Sequence, residues 1–397
     1  MTVLRKVYLD HAATTPVRQE VLDAMMHVYK EVYGNPSSIH QFGRPARKLM
    51  EEAREKVAKA INADPKEIVF TGSGTEADNL AIVGGARANK KKGNHLITSV
   101  VEHHAVLDAF KALEKEGFEV TYLPVDAEGR VSVEDFKNAL RDDTVLVSIM
   151  HGNNEVGTIM PVEEIGAICR ERKILFHTDA VQTVGKIPVD VKAINCDFLA
   201  LSGHKIYGPK GIGVLYMRRG VRTQPLYYGG GQERKLRPGT ENVANIVALS
   251  VAIELAVAEM AEESARLSVL RDKLIDGILN NIEETRLNGP REGRLPHNVN
   301  VSIEYIEGEA LLLSCDMKGF AASSGSACTS GSLDPSHVLM AMGLTHTTAH
   351  GSLRLSLGKS TTEEDIDYVI EQLKPIADRL RAMSPVWERF QKGLPIT

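Results

Sequence analysis

Seven short apolar runs, at residues 68–71, 95–99, 120–124, 145–150, 174–177, 198–201 and 213–216, are separated for the most part by longer amphipathic stretches such as 106–115 and 162–171. Runs this short suit buried strands, and connections long enough to hold a helix let successive strands run parallel instead of folding back as hairpins. The alternation predicts an α/β fold with a mostly parallel seven-stranded sheet and helices on both faces. After Gly239 the pattern changes to helices over 242–261 and 264–282, a fresh strand over 298–306 and a closing helix over 363–383. This second part reads as a smaller α+β domain. No repeat or low-complexity linker divides the two, so the boundary is expected inside a long helix near residue 258. A large domain would then cover 15–258, and a small one would combine 1–14 with 259–397.

With 43% hydrophobic and 25% charged residues in 397, the chain has the balance of an ordinary globular protein. Its net charge of −5 gives no basic field for nucleic acid or anionic lipid. The opening MTVLRKVYLD lacks the apolar core of a signal peptide, and no uninterrupted apolar run reaches transmembrane length. The expectation is a cytoplasmic protein with neither nucleic-acid nor membrane partners. Four cysteines, Cys169, Cys196, Cys315 and Cys328, are too sparse for a disulfide framework, and none stands in a zinc-type spacing.

Several of the predicted strands end in reactive residues. VFTGSGTEADNL (69–80) passes from a strand through Gly72, Ser73 and Gly74 to Thr75 and a helical pattern, an arrangement that suits either a phosphate cradle at a helix N-terminus or a plain helix cap. ILFHTDAVQTVGK (174–186) leaves Asp179 at a strand end, again either a functional acid or a cap. LALSGHKIYGPKG (200–212) places Ser202, His204 and Lys205 just beyond another apolar strand, where burial depresses an amine's pKa and favours Schiff-base chemistry. Each signal is weak alone. Together with the imidazoles of VEHH (101–104), they supply what pyridoxal 5′-phosphate requires: a Schiff-base lysine, an acid for the ring nitrogen, a flat neighbour for the ring and donors for the phosphate.

Cys328 lies in AASSGSACTSGS (321–332), where every other residue is Ala, Ser, Gly or Thr. A structural thiol packs as a small hydrophobe, and this segment offers it nothing bulky to pack against. Small residues that restrict the backbone little suit a thiol that must travel. The other three cysteines fall in helix- or strand-like segments and read as packing residues.

At this point the chain resembles the cysteine desulfurases of the NifS/IscS type, in the class V branch of the fold-type I pyridoxal phosphate enzymes. The likeness is carried by YLDHAATTP (8–16), NPSS (35–38), TGSGTEADNLAI (71–82), VEHHAVLD (101–108), SIMHGNNEVG (148–157), HTDAVQTVGK (177–186), SGHKIYGPKGIG (202–213), RPGTENV (237–243), SSGSACTS (323–330) and LRLSLG (353–358). The resemblance implies that Lys205 carries the cofactor, that Asp179 pairs with its ring nitrogen, and that His103 stacks on the ring and moves protons. Of the adjacent His103 and His104, the family's Glu-His pair matches Glu102-His103. Asn154 and Gln182 would contact the ring or its phenolic oxygen. Gly74, Thr75, Ser202 and His204 would hold the phosphate, joined by Thr240 from the second subunit of a homodimer. Arg354 and Asn35 would bind the substrate, L-cysteine.

Cys328 would take the sulfur as a persulfide and pass it to an acceptor such as an iron–sulfur scaffold protein, with alanine as the other product. The same resemblance puts Cys328 forward as a transient ligand of an iron–sulfur cluster. A selenocysteine lyase or a small-molecule aminotransferase of the same class would share Lys205 and Asp179 without needing Cys328 in this setting. A scaffold that had lost catalysis would lack the lysine or the acid, and both are present.

Overall fold

The computed structural model describes residues 5–324 and 335–395. After a short β1 (Val7–Tyr8), the main sheet comprises β2 (Ile68–Thr71), β3 (His95–Ser99), β4 (Glu119–Leu123), β5 (Thr144–Ser148), β6 (Leu175–Asp179), β7 (Phe198–Ser202) and β8 (Gly213–Met217). Their order is β2-β8-β7-β6-β5-β3-β4, and β8 alone runs antiparallel to its neighbours. Both faces of this sheet's inner strands β3, β5, β6 and β7 are buried, while the edge strand β4 is half-exposed. On β3 and β5, Leu96 and Leu146 point to one cluster with Phe110, while Ile97 and Val147 point to the other, as the two-residue period of a strand dictates.

A second sheet follows, with β9 (Thr285–Leu287) and β12 (Ser352–Ser356) flanking β10 (Asn298–Ile303) in antiparallel pairing. β11 (Phe320–Ala321) pairs in parallel with β1, which brings the first described residues to the second unit. A separate core belongs to it, built on Leu274, Val299, Val301, Leu353 and Leu355.

One helix of 39 residues, Val243–Asn281, joins the two cores. Its first half gives Leu249, Ala252 and Ile253 to the core of the main sheet, and its second half gives Leu270, Leu274 and Ile278 to the other. The expected pair of helices is thus a single one. No glycine or proline interrupts residues 261–264, AEES, so nothing stops the helix there. Among the described residues it is also the helix long and apolar enough, by length and composition, to cross a membrane. Half of that apolar stretch is buried within the protein itself. Val338, Leu339 and Met342, late in the chain, pack with the main-sheet core.

The edge strand β2 is closed by side chains. Glu233 Oε2 accepts from Phe70 N at 2.9 Å, while Arg54 Nη1 and Arg234 Nη2 donate to Ile68 O at 2.9 and 2.8 Å. An exposed edge invites pairing with another chain, and these groups occupy it.

Leu249→Ala, which empties a fully buried position where the long helix meets the main-sheet core, is expected to cost about 2–5 kcal/mol, read as a lower denaturant midpoint in urea unfolding.

Candidate active site

A cavity of about 220 Å³ opens where the carboxyl ends of the parallel strands meet the second sheet. Parallel strands place all their carboxyl ends on one edge, so loops distant in sequence converge there. β2 delivers Gly74 and Thr75, the turn after β3 delivers His103, the turn after β5 delivers Asn154, β6 delivers Asp179 and Gln182, and β7 delivers Ser202, His204 and Lys205. Arg354 enters from β12 of the second sheet. Ten of the thirteen residues singled out in the sequence therefore line one cavity.

Asn35 and Thr240 do not. Asn35 is exposed, its Oδ1 accepting from Ser37 N at 2.8 Å in a turn of its own, and Thr240 is exposed at the end of the RPGT stretch. Cys328 lies outside the described residues. Cys169, Cys196 and Cys315 are fully buried, and burial raises all three thiols, that of Cys315 to about 12. Among the described residues no cluster of His, Cys, Asp and Glu could hold a metal ion.

The loop after β2 is a true helix start. Ser73 Oγ accepts from Glu76 N at 3.1 Å and caps the 16-residue helix Gly74–Asn89, whose first backbone N–H groups face the cavity. Space there is tight: a Cβ on Gly74 would stand 2.9 Å from Val181 Cγ2, and one on Gly213 would stand 2.4 Å from the carbonyl carbon of Ser73.

Lys205 Nζ donates to the carbonyls of Ala12 and Ala13, both at 2.6 Å. Gln182 Nε2 also donates to Ala12 O, at 2.9 Å, which leaves Gln182 Oε1 buried without a partner. Arg354 donates to Asn154 O at 3.2 Å and to Asp10 Oδ1 at 3.0 Å, while its Nε is buried and unpaired.

Asp179 accepts from Val181 N at 2.9 Å in a turn rather than at a helix start, since residues 181–186 form turns and no helix follows, and its carboxyl lines the cavity. Burial pushes it up to about 6, against the pull of the Val181 N–H and the Lys205 charge. Asp78, behind it, is raised too, by burial and then by the charges of Asp179 and Glu102. His177 Nε2 lies 3.3 Å from Asp78 Oδ1 without the alignment of a hydrogen bond.

Both cavity imidazoles are neutral at pH 7. Burial and the neighbouring Lys205 charge lower His103 and His204 to about 4. His103 Nδ1 accepts from Ala105 N at 3.1 Å at the start of the helix His104–Lys115, which leaves the proton on Nε2. His104, by contrast, sits on that helix near Asp108 and against the His337 ring.

These residues fit pyridoxal 5′-phosphate. A protonated ring nitrogen suits a buried acid that lacks a full counter-charge, a phenolic oxygen suits the unsatisfied end of Gln182, and a phosphate dianion suits the helix N-terminus at Gly74. The fold and the cavity define a pyridoxal phosphate enzyme of fold-type I.

Residues 7–369 match the family aminotransferase class-V, and the chain belongs to that family. It is 57% identical over 391 residues to a cysteine desulfurase IscS of Clostridium botulinum, with 98% of each chain covered. It is 56% identical over 387 residues to a cysteine desulfurase IscS of Dictyoglomus turgidum, again with 98% of each covered. A solved NifS-like protein superimposes with a TM-score of 0.89 at 42% identity, covering 94% of this chain and 100% of its own.

The sequence reading missed the Ala12 and Ala13 carbonyls that receive Lys205. Backbone acceptors leave no signature in a sequence, although YLDHAATTP marked the segment that holds them.

The acid at the cavity floor makes a prediction about the cofactor-free protein. Asp179 keeps its proton up to about pH 6, whereas a free aspartate loses it near 3.8. The stability tied to that group is whole below 3.8 and is lost as pH rises through 6. Asp179→Asn should therefore stabilise the apoprotein at pH 7.5, by up to about 3 kcal/mol for a two-unit shift, with the gain disappearing near pH 3.5. Urea unfolding at the two pH values reads it.

Proposed function

We propose that the chain is a pyridoxal phosphate-dependent cysteine desulfurase, which takes sulfur from L-cysteine, releases L-alanine and carries the sulfur to acceptors as a persulfide on Cys328. The observation that carries this reading is the convergence of Lys205, Asp179, His103 and Arg354 on one cavity, in a chain more than half identical over its length to proteins named cysteine desulfurase. In the reaction the substrate's C–S bond breaks, a sulfur–sulfur bond forms on the Cys328 thiolate, and the carbon that lost sulfur takes a proton.

Bound pyridoxal phosphate supplies an electron sink for the electrons released at the substrate Cα. The residues around it do the rest. Arg354 holds the substrate carboxylate with its planar fork of donors. Lys205 would carry the cofactor, and its Nζ would move the substrate's Cα proton. Asp179 keeps the ring nitrogen protonated, and the neutral His103 carries a proton on Nε2 to or from the sulfur. Gly74, Thr75, Ser202 and His204 hold the phosphate, and Asn154 and Gln182 orient the ring.

The working unit of this reading is a two-fold homodimer in which the exposed Thr240 completes the partner's phosphate site and Asn35 lies near the substrate entrance. Large apolar side chains support such an interface: Ile39 is 90% exposed and Tyr33 71% exposed, with Tyr29 and Phe42 exposed nearby in sequence. The acceptor is an iron–sulfur scaffold protein, with Cys328 at most a transient cluster ligand, and the setting is the cytoplasm. A division of the chain near residue 258 belongs to the same reading, because the two cores exchange there along the long helix.

Cys328→Ser should keep the cofactor's visible absorbance and its change on adding L-cysteine, yet abolish alanine release and the persulfide seen by mass spectrometry in the parent. Undiminished alanine, or persulfide on Cys169, Cys196 or Cys315, would refute the assignment. Arg354→Lys preserves charge but not the fork, and should raise KM for L-cysteine by about tenfold or more, the worth of a charged hydrogen bond, with kcat affected less.

A further inference from the structure

The loop that leads to Thr240 is built in a costly conformation. Glu233, Arg234 and Lys235 follow one another with φ of 41°, 56° and 67°, in the left-handed region that non-glycine residues avoid. Three such residues in a row persist only where the surroundings over-determine them, and such strain collects at functional sites. Here the surroundings are explicit. The buried Arg54 grips Glu233 through two bonds, Nη1 to Oε2 at 2.9 Å and Nη2 to Oε1 at 2.7 Å, and Glu233 is tied in turn to the backbone of β2. Gln232 Oε1 accepts from Gly239 N at 3.1 Å, closing the loop across its mouth, and Gly239 takes a φ of 106° open to glycine.

The loop has a second anchor, and that one is in the phosphate cradle. Arg237 Nε donates to Glu76 Oε1 at 2.9 Å, and Tyr227 Oη donates to the same oxygen at 2.8 Å. The other carboxylate oxygen, Oε2, accepts from Gly72 N at 2.7 Å. Glu76 stands in the first turn of the helix whose N-terminus faces the cavity, one residue after Thr75. Burial would raise its carboxyl, but the bonds from Arg237, Tyr227 and Gly72 outweigh burial and lower it. An ionised acid so close to an anion site is unfavourable by itself, and the Arg237 guanidinium offsets it: a Cβ on Gly72 would lie 2.7 Å from Glu76 Oε2 and 3.5 Å from Arg237 Nη2.

We propose that Glu76 and Arg237 are positioning residues that tie the phosphate cradle of one subunit to the arm, residues 232–240, with which that subunit completes the cradle of its partner. In each subunit the cradle and the arm, distant in sequence, are then one unit joined through the Glu76–Arg237 ion pair, and neither cradle is set independently of the arm beside it. The inference rests on the reading that Thr240 serves the partner's site, and its test separates the two.

Hybrid dimers are assembled from full-length chains, one parent subunit and one carrying Lys205→Ala, so that the parent subunit holds the only Lys205-linked cofactor. Further substitutions are placed on the Lys205→Ala subunit alone, whose arm serves the parent's site. Binding of pyridoxal 5′-phosphate to the parent site is followed by titration of the apoprotein and by its visible absorbance, with thermal unfolding and sedimentation alongside. Thr240→Ala, Arg237→Ala and Glu76→Gln in that subunit should each weaken binding at the untouched parent site by about tenfold, on the scale of one charged hydrogen bond, and Thr240→Ala with Arg237→Ala should not add. If Thr240→Ala weakens binding while Arg237→Ala and Glu76→Gln leave it at the parent value, the positioning role is wrong and the shared site stands. If Thr240→Ala leaves it unchanged, the shared site itself is wrong and the inference falls with it. Should Arg237→Ala hybrids fail to assemble, Glu76→Gln, which keeps shape and an acceptor for Gly72 N, decides alone.

Discussion

Everything at the cavity depends on one constraint of the backbone: strands that run parallel finish on the same edge. Five loops drawn from the stretch between Gly74 and Lys205 meet there because β2, β3, β5, β6 and β7 share a direction. β8, the antiparallel member, contributes the opposite end, and Gly213 at its start pairs with both Thr71 and Ser202. Without a side chain at that point, the loop after β2 can close onto the sheet. Chemistry then requires only that each loop carry the right residue in its first few positions.

The segment around Asp10 to Ala13 is the clasp between the two units. Its carbonyls receive Lys205 and Gln182 from the main sheet, its Asp10 receives Arg354 from the second sheet, and Ser356 holds it through His11 N and Ala12 N. A lysine and an arginine that line one cavity are thus referenced to the same four residues. Buried charge is tolerated here because each cation has carbonyl or carboxylate partners, whereas the acids below have few and are pushed towards their neutral forms.

Much of this was legible in the chain. The seven apolar runs correspond to the seven strands of the main sheet, since four to six apolar residues bounded by polar stretches have little choice when both faces are covered. The strand-end residues Asp179, Ser202, His204 and Lys205 were legible for the same reason, because a polar residue directly after a buried run must be at an edge. The long helix was split in two, since a polar AEES stretch resembles a helix end when the partner surfaces are unknown. Asn35 and Thr240 were marked by motif, yet both are exposed and lie outside the cavity, because a motif match does not say where in the fold a residue comes to sit. The Glu76 and Glu233 contacts were not read at all: an acid in a helix start or a surface loop looks solvated until the arginine that meets it, Arg237 or Arg54, is placed beside it.

The burial of Cys169, Cys196 and Cys315 has a bearing on chemical fidelity. A protein that handles labile sulfur exposes its own thiols to stray exchange, and exchange proceeds through the thiolate. With these three thiols fully buried and held far from ionisation, background sulfuration inside the protein has almost no substrate. The cores therefore act as a chemical quarantine as well as a source of stability.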